Sequence, residues 1–414
     1  MRQYRAVMNK DSTIGIKSLT GGVTAPGGFV AGGVACGVRG AGRRDLGLLF
    51  SERGCTAAAV LTRNVVKGAP LEVTRGALRS GGVRAVVVNS GNANAATGQR
   101  GLEDAYAMQT LAARTLEIEP KEVAVASTGV IGEYPPMDRI SAGIEAVGVE
   151  LGRDGAGFAE AILTTDTRTK EAAARVEVGD TTVTVGGTAK GSGMIHPNMG
   201  TLLAFLTTDA AVEKKCLQRT LSGVTERTFN RVTVDGDTSP SDVAILLANG
   251  AAGNEPLGLD SPDYPAFAGA VEEVARTLAK EIARDGEGAT RLVEVVVKGA
   301  KDEASGAALA KSVVGSNLVK AAVFGEDANW GRVLTAMGYS GVSFDPNAVE
   351  LWFGPVKVFA EGKPVPHEAA EANAALSSGE VTITARLEEG DASAAAWGCD
   401  LTYEYVRING SYRT

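Results

Sequence analysis

The sequence predicts an α+β protein built of stacked layers. Short apolar runs broken by tight turns predict strands that pair largely antiparallel. Two stretches, near residues 104–118 and 264–285, carry apolar residues at helical spacing. With 53 glycines and only 5% aromatic residues, many turns and close backbone approaches are expected. Together these signals favour layers over a doubly wound parallel sheet.

Taken in order, residues 12–48 are glycine-rich, with Gly21-Gly22-Val23-Thr24-Ala25-Pro26-Gly27-Gly28 and Ala31-Gly32-Gly33-Val34, and read as short strands with tight turns. Arg84 to Val88 is a strand that breaks into a polar loop, Asn89-Ser90-Gly91-Asn92-Ala93-Asn94. Asp104 to Ile118 is a helix through Ala105, Met108, Leu111, Ala112 and Leu116. Val123 to Ala126 is a buried strand ending at Ser127-Thr128-Gly129. Val183 to Gly187 is a hairpin edge leading into Lys190, and the apolar run after Gly200 is a further buried strand. Tyr264 to Asp285 is a long amphipathic helix, with Pro265 suited to its first turn and Asp285-Gly286-Glu287-Gly288 as its stop. Leu292 to Val297 opens a strand-rich last third, with strands from Val349 to Val365 paired around Glu361-Gly362 and more alternation from Val381 to Val406. The best boundary falls at the end of the long helix, dividing the chain into 1–285 and 286–414.

Composition narrows the function. A chain of 414 residues buries a large core. A net charge of −8 with a pI near 5.2 argues against a nucleic-acid partner or an anionic membrane surface. No apolar run reaches the roughly 18 residues of a membrane span. Met1-Arg2-Gln3-Tyr4-Arg5 has no apolar stretch behind it, so no secretory leader is expected. Four scattered cysteines fit a reducing cytoplasm. They include no CxxC pair, and there is no HExxH, no P-loop and no GxGxxG, so neither metal nor nucleotide is signalled. Asp235 to Asp242 resembles a calcium loop but has Pro240 at position six and Leu246 at position twelve, so a turn that caps the next element is the better reading. Only His196 and His367 are available to a Ser-His-Asp triad.

The chemistry signal is the stretch from Lys190 to Asp209. A loop of Gly, Ser, Pro and Asn ends at Gly200, Thr201 follows, and an apolar strand begins. This layout suits a chain that cuts itself at Gly200-Thr201, since glycine tolerates the bent backbone that lets the Thr201 hydroxyl attack the preceding carbonyl. The new amino terminus then makes Thr201 a nucleophile with its own base, needing neither histidine nor cofactor. Thr128 and Gly129, at a strand end, are candidates for an oxyanion hole. Lys190 suits a carboxylate and Glu287 a substrate ammonium, although each also reads as an ordinary surface residue.

These motifs together resemble the ornithine acetyltransferase family, the glutamate N-acetyltransferases of arginine biosynthesis. The resemblance covers almost the whole chain. It rests on Gly21 to Pro26, Val88 to Asn94, Ala126 to Gly132, Thr164-Thr165-Asp166-Thr167, Lys190 to Asp209, Phe229 to Ser239, Asp285 to Thr290, Asn329-Trp330-Gly331-Arg332 and Tyr405 to Thr414. It implies a layered α-β-β-α sandwich with a smaller C-terminal α/β domain that completes the substrate pocket. It also implies self-cleavage before Thr201, an oxyanion hole at Thr128 and Gly129, and substrate contacts at Thr164, Lys190, Thr201, Glu287, Asn409 and Thr414. Two residues depart from the family: Gly200 stands where Ala is more frequent, and His196 where Ala is frequent. Gly200 keeps the junction small, and His196 is expected to be structural.

The resemblance further implies acetyl transfer from N2-acetylornithine to glutamate through an acetyl-Thr201 ester, giving ornithine and N-acetylglutamate, with no metal and no cofactor beyond acetyl-CoA as a second donor. The two fragments are expected to remain together as a heterotetramer of two α and two β chains. An amidase or aminopeptidase of the same fold, passing the acyl group to water, is the alternative; a scaffold with an uncut junction is a third.

Overall fold

The computed structural model describes residues 15–40, 42–196 and 202–411. Gly200, Thr201 and Thr414 therefore lie outside the described residues. Two sheets stack face to face. The first has six strands in the order Lys17–Leu19, Lys170–Val178, Thr181–Lys190, Leu203–Thr208, Val243–Ala248 and Thr56–Leu61. Its pairs are antiparallel except Leu203–Thr208 with Val243–Ala248, which run parallel. The second sheet orders Phe29–Val34, Leu46–Ser51, Ala85–Asn92 and Val123–Val130, with the last two parallel.

Alternation along the central strands builds the layers. Leu203 and Phe205, with Val243, Ile245 and Leu247, turn towards Val86, Val88, Ala124 and Ala126 of the other sheet and form the core between the sheets. The intervening Ala204, Leu206, Ala244 and Leu246 face helices Lys214–Arg227 and Tyr264–Arg284. On the far side, Ala85, Val87, Val123 and Val125 pack against helices Gly98–Thr115 and Met137–Val149 through Met108, Ala112, Ile140 and Ile144. The result is the four-layer helix-sheet-sheet-helix arrangement.

A third sheet of seven strands runs Val232–Thr233, Ala392–Cys399, Leu292–Ala300, Glu380–Arg386, Glu350–Phe353, Val356–Ala360 and Lys363–Pro364. Its core closes against helices Glu303–Gly315, Asn317–Phe324 and Trp330–Gly338. Leu292, Trp397 and Cys399 from this sheet join the core around the long helix. A final helix, Tyr403–Ser411, follows.

The long helix matches its reading. Pro265 sits in the first turn, and Phe267, Val271, Val274, Leu278 and Ile282 recur at helical spacing on the buried side. Elsewhere the elements differ. The strand from Ala85 continues through Asn92 rather than stopping at Val88, and its neighbour reaches Val130. Polar side chains are admitted because they are paired inside: Asn89 donates to the Asn92 carbonyl (2.9 Å) and accepts from Ser127 Oγ (2.5 Å), and Ser90 donates to the Ala161 carbonyl (2.7 Å). The helix expected from residue 104 begins at Gly98, where Asn94 bonds both Thr97 and the Gly101 carbonyl. Tyr403–Ser411 is helical, although Tyr405 and Val406 end the alternation that predicts strands there. The turn at Glu361-Gly362 stands, with both residues at positive φ (53° and 70°).

Candidate active site

One cavity of about 240 Å³ opens where the two-sheet body meets the C-terminal helix. Thr128, Gly129, Thr164, Lys190, Glu287 and Asn409 all line it. These are all of the sequence-nominated site residues that lie among the described ones, and they come from five separate parts of the chain.

Thr128 and Gly129 stand near the end of the strand Val123–Val130, opposite a register irregularity at Gly91 and Asn92. Gly129 has φ +132°, and a β-carbon there would stand 2.5 Å from the Asn92 backbone nitrogen. The backbones therefore approach as only glycine permits. Lys190, the last residue of Thr181–Lys190, is buried and donates from Nζ to Thr128 Oγ1 at 3.4 Å. Thr128 thus accepts from a cation while its own hydroxyl hydrogen remains available to donate.

Burial pushes the Lys190 ammonium below the usual lysine range; Asp166, Asp242 and Glu287 oppose that and Lys170 adds to it. Behind Lys190 lies a buried ionic chain. Lys170 Nζ bonds Asp166 at 2.7 Å and Asp285 at 2.6 Å, and the side chains of Lys170 and Asp166 are fully buried. Asp166 also accepts the N–H groups of Gly191 (2.7 Å) and Thr164 (3.0 Å). Burial alone would raise the Asp166 pKa, but Lys170 and Lys190 hold it well below the usual carboxylate range. Asp285 caps the long helix and bonds the Thr167 hydroxyl and N–H.

Just past this helix, the Glu287 N–H donates to the Ser192 carbonyl (2.9 Å), which aims Glu287 into the cavity. Asn409 Nδ2 donates to Glu287 Oε2 at 2.7 Å, tying the C-terminal helix to the site. The 235–242 segment does not cap the next element as read from sequence. The Asp235 carboxylate instead accepts the N–H groups of Met194 (2.6 Å) and Ile195 (2.9 Å), holding the loop that leads to the junction. Tyr405 donates its hydroxyl to Asp235 (3.3 Å), and burial followed by the Asp235 charge raises its pKa. Among the described residues no group of three His, Cys, Asp or Glu is placed to hold a metal. His196 is half-buried, with Nδ1 3.0 Å from Thr233 Oγ1; burial and then Lys311 push its pKa down to about 4.

Asp166, Asp235 and Tyr405 stand in the stretches that carry the resemblance, but the sequence reading gives none of them a role in the site. Asp166 carried a signal, an acid within a threonine cluster and four residues before Lys170. Asp235 was weighed as a metal ligand and as part of a capping turn, and no local spacing singles out Tyr405.

The model of the ArgJ family matches residues 30–414. The arginine biosynthesis bifunctional protein ArgJ of Symbiobacterium thermophilum is 57% identical over 399 residues, covering 96% of this chain and 99% of that one. Its counterpart in Bacillus subtilis is 50% identical over 400 residues, covering 96% and 98%. A crystal structure of the arginine biosynthesis bifunctional protein ArgJ from Bacillus halodurans aligns at 46% identity with a TM-score of 0.50, covering 51% of this chain and 99% of the solved one. That solved chain thus matches about half of the present one.

Proposed function

The chain belongs to the ArgJ family, and from that premise we propose that its cavity carries an acetyl group from N2-acetylornithine to glutamate by way of Thr201. The protein is an acetyltransferase of arginine biosynthesis. The observation that carries the route is the convergence of Thr128, Gly129, Thr164, Lys190, Glu287 and Asn409 on one cavity. Asp235 grips Met194 and Ile195 in the segment that precedes the junction in the sequence. The half-length match to a solved relative is consistent with two chains produced by a cut at Gly200-Thr201.

In this reading the Thr201 amine, with an ordinary pKa of about 7.7–8.0, takes the proton of the Thr201 hydroxyl. The oxygen attacks the acetyl carbonyl carbon, and the carbonyl electrons move onto its oxygen. The Thr128 hydroxyl and the Gly129 backbone stabilise that oxyanion. The C–N bond then breaks, and ornithine leaves with the proton from the Thr201 amine. Glutamate's amine attacks the ester, N-acetylglutamate departs, and the hydroxyl is restored. Lys190, Asn409 and Thr414 hold the carboxylate that both amino acids share, Thr164 borders it, and Glu287 faces the ornithine side-chain ammonium.

The relatives' name, bifunctional, favours a second donor, and acetyl-CoA in place of acetylornithine would make N-acetylglutamate afresh. The reading requires no other cofactor and no metal. It places the enzyme in the cytoplasm as a heterotetramer of two α and two β chains.

The test is to supply N2-acetylornithine alone, digest, and weigh the peptide that begins at Thr201. Added acetyl mass on that peptide, with parallel double-reciprocal lines once glutamate is varied, is the expected result. Intersecting lines and an unlabelled peptide would point to direct transfer in a ternary complex instead.

A further inference from the structure

Asp166 has no place in the reaction as written, yet it touches both sides of the carboxylate end of the cavity. One oxygen accepts the Gly191 N–H, directly after Lys190, and also bonds Lys170 Nζ; the other accepts the Thr164 N–H. The Thr164 carbonyl in turn accepts from Arg39 Nη2 at 2.5 Å. Thr164 and Lys190 lie at the open end of the hairpin formed by Lys170–Val178 and Thr181–Lys190, whose last ladder pair is Lys170 with Ala189; beyond that pair the Asp166 carboxylate bridges the two arms through the Thr164 and Gly191 N–H groups.

We infer that Asp166 is a positioning residue that fixes Lys190 and Thr164 relative to one another, and so sets how tightly the cavity holds the carboxylate of its amino-acid substrates. This rests on the transferase reading above.

Electrostatics support the geometry. A buried ammonium keeps its charge only beside an opposite one. The charged groups facing Lys190 are Asp166 and Lys170 from one segment, Asp242 ahead of the strand Val243–Ala248, and Glu287 beyond the long helix. Among those that favour the charged form, Asp166 acts most strongly. It stays ionised between Lys170 on one side and Lys190 on the other, so that with Lys170 removed Lys190 still keeps it charged. Lys170 is in turn balanced by Asp285, so the chain of charges runs from the end of the long helix to the cavity wall.

The experiment compares wild type with Asp166→Asn and, separately, with Lys170→Met. For each, KM and kcat are measured with N2-acetylornithine and glutamate from pH 7 to 10, alongside thermal melting. Asp166→Asn keeps the shape and one acceptor but removes the charge. It should raise KM for both substrates about 10-fold while kcat changes less than about 3-fold. The alkaline limb of 1/KM should move to lower pH, because Lys190 loses its proton more readily. Lys170→Met removes a like charge from beside Lys190 and should move that limb to higher pH. Opposite shifts are not what a purely structural contact would give.

If one variant does not fold, the other decides by the direction of its shift. Limbs that coincide with wild type, a loss confined to kcat, or collapse of both variants would overturn the inference. A wild type that transfers no acetyl group to glutamate would sink the transferase reading instead, and so is told apart from a failure of Asp166.

Discussion

Gly193 lies so close to Glu287 that a β-carbon at position 193 would stand 2.5 Å from Glu287 Oε2. What it would meet is the free end of a side chain, so the fold can survive while the carboxylate is pushed aside. Gly193→Ala should therefore break the bond from Asn409 and misplace Glu287. KM for acetylornithine should rise about 10- to 100-fold, the value of one charge-assisted hydrogen bond. Melting should stay within a few degrees of wild type. An unchanged KM would show that Glu287 does not contact the donor.

Gly129 makes the opposite case. Its positive φ, and the Gly91 and Asn92 backbone that an added β-carbon would strike, leave nothing flexible to yield. Gly129→Ala should cost about 3 kcal/mol or more, seen as a large fall in melting temperature or in soluble yield. A stable, active alanine variant would mean that the strand pairing at Asn92 can relax.

Thr128 accepts from Lys190 and lines the cavity, so its hydroxyl is set to donate. Thr128→Val keeps the β-branched shape and removes that donor. The expected loss is about 10²–10³ in kcat with KM little changed. A loss smaller than about 3-fold, measured with acetylornithine saturating, would remove Thr128 from the oxyanion site.

How much of this was legible beforehand depended on whether the signal was local. Thr128, Lys190 and Glu287 were readable because each adjoins glycine at the end of a strand or helix, where a loop meets an open space. The long helix was readable from Phe267 to Ile282 because one side is apolar and the other is not. Glu303–Gly315 gave no such contrast: Ala, Gly and Val recur all around it, and it escaped notice. Asn89 to Asn92 reads as a loop by composition, and it is the pairing of Asn89 with Ser127 and of Ser90 with the Ala161 carbonyl that lets it lie in a buried strand. Lys170 and Asp285 meet across 115 positions, and no spacing rule foretells that.

His196 precedes the junction by four residues in the sequence, but burial and Lys311 lower its pKa to about 4. It is therefore neutral throughout the working range. Activity should rise through pH 7–8 as the Thr201 amine loses its proton, and His196→Gln should leave that limb in place. For stability, the lowered pKa means that the folded form binds the proton less well than the unfolded chain. The contribution is full above about pH 6.5 and is lost as pH falls toward 4. Melting of wild type against the glutamine variant across that window measures it. A limb that moved with the substitution would make His196 the base.

Asp242 is buried at the start of the strand Val243–Ala248, and its Oδ2 has no hydrogen-bond partner among the described residues. Burial raises its pKa well above the usual carboxylate range, against smaller opposing effects of Ser239 and Lys190. The unfolded chain therefore releases this proton at lower pH than the folded one does. Below the unfolded value of about 3.9 both states are protonated and the group has no pH-dependent cost. As pH climbs, the unfolded state gains and stability is lost until the folded carboxyl ionises as well. Asp242→Asn cannot ionise and keeps the shape. Its advantage over wild type should grow from about pH 4 upward and then level off, reaching roughly 1–3 kcal/mol near neutrality. Paired melting curves from pH 4 to 8 decide the matter. An advantage that does not vary with pH would mean that Asp242 does not titrate there, and an asparagine variant that is less stable throughout would mean that the charged oxygen is well partnered in the working enzyme.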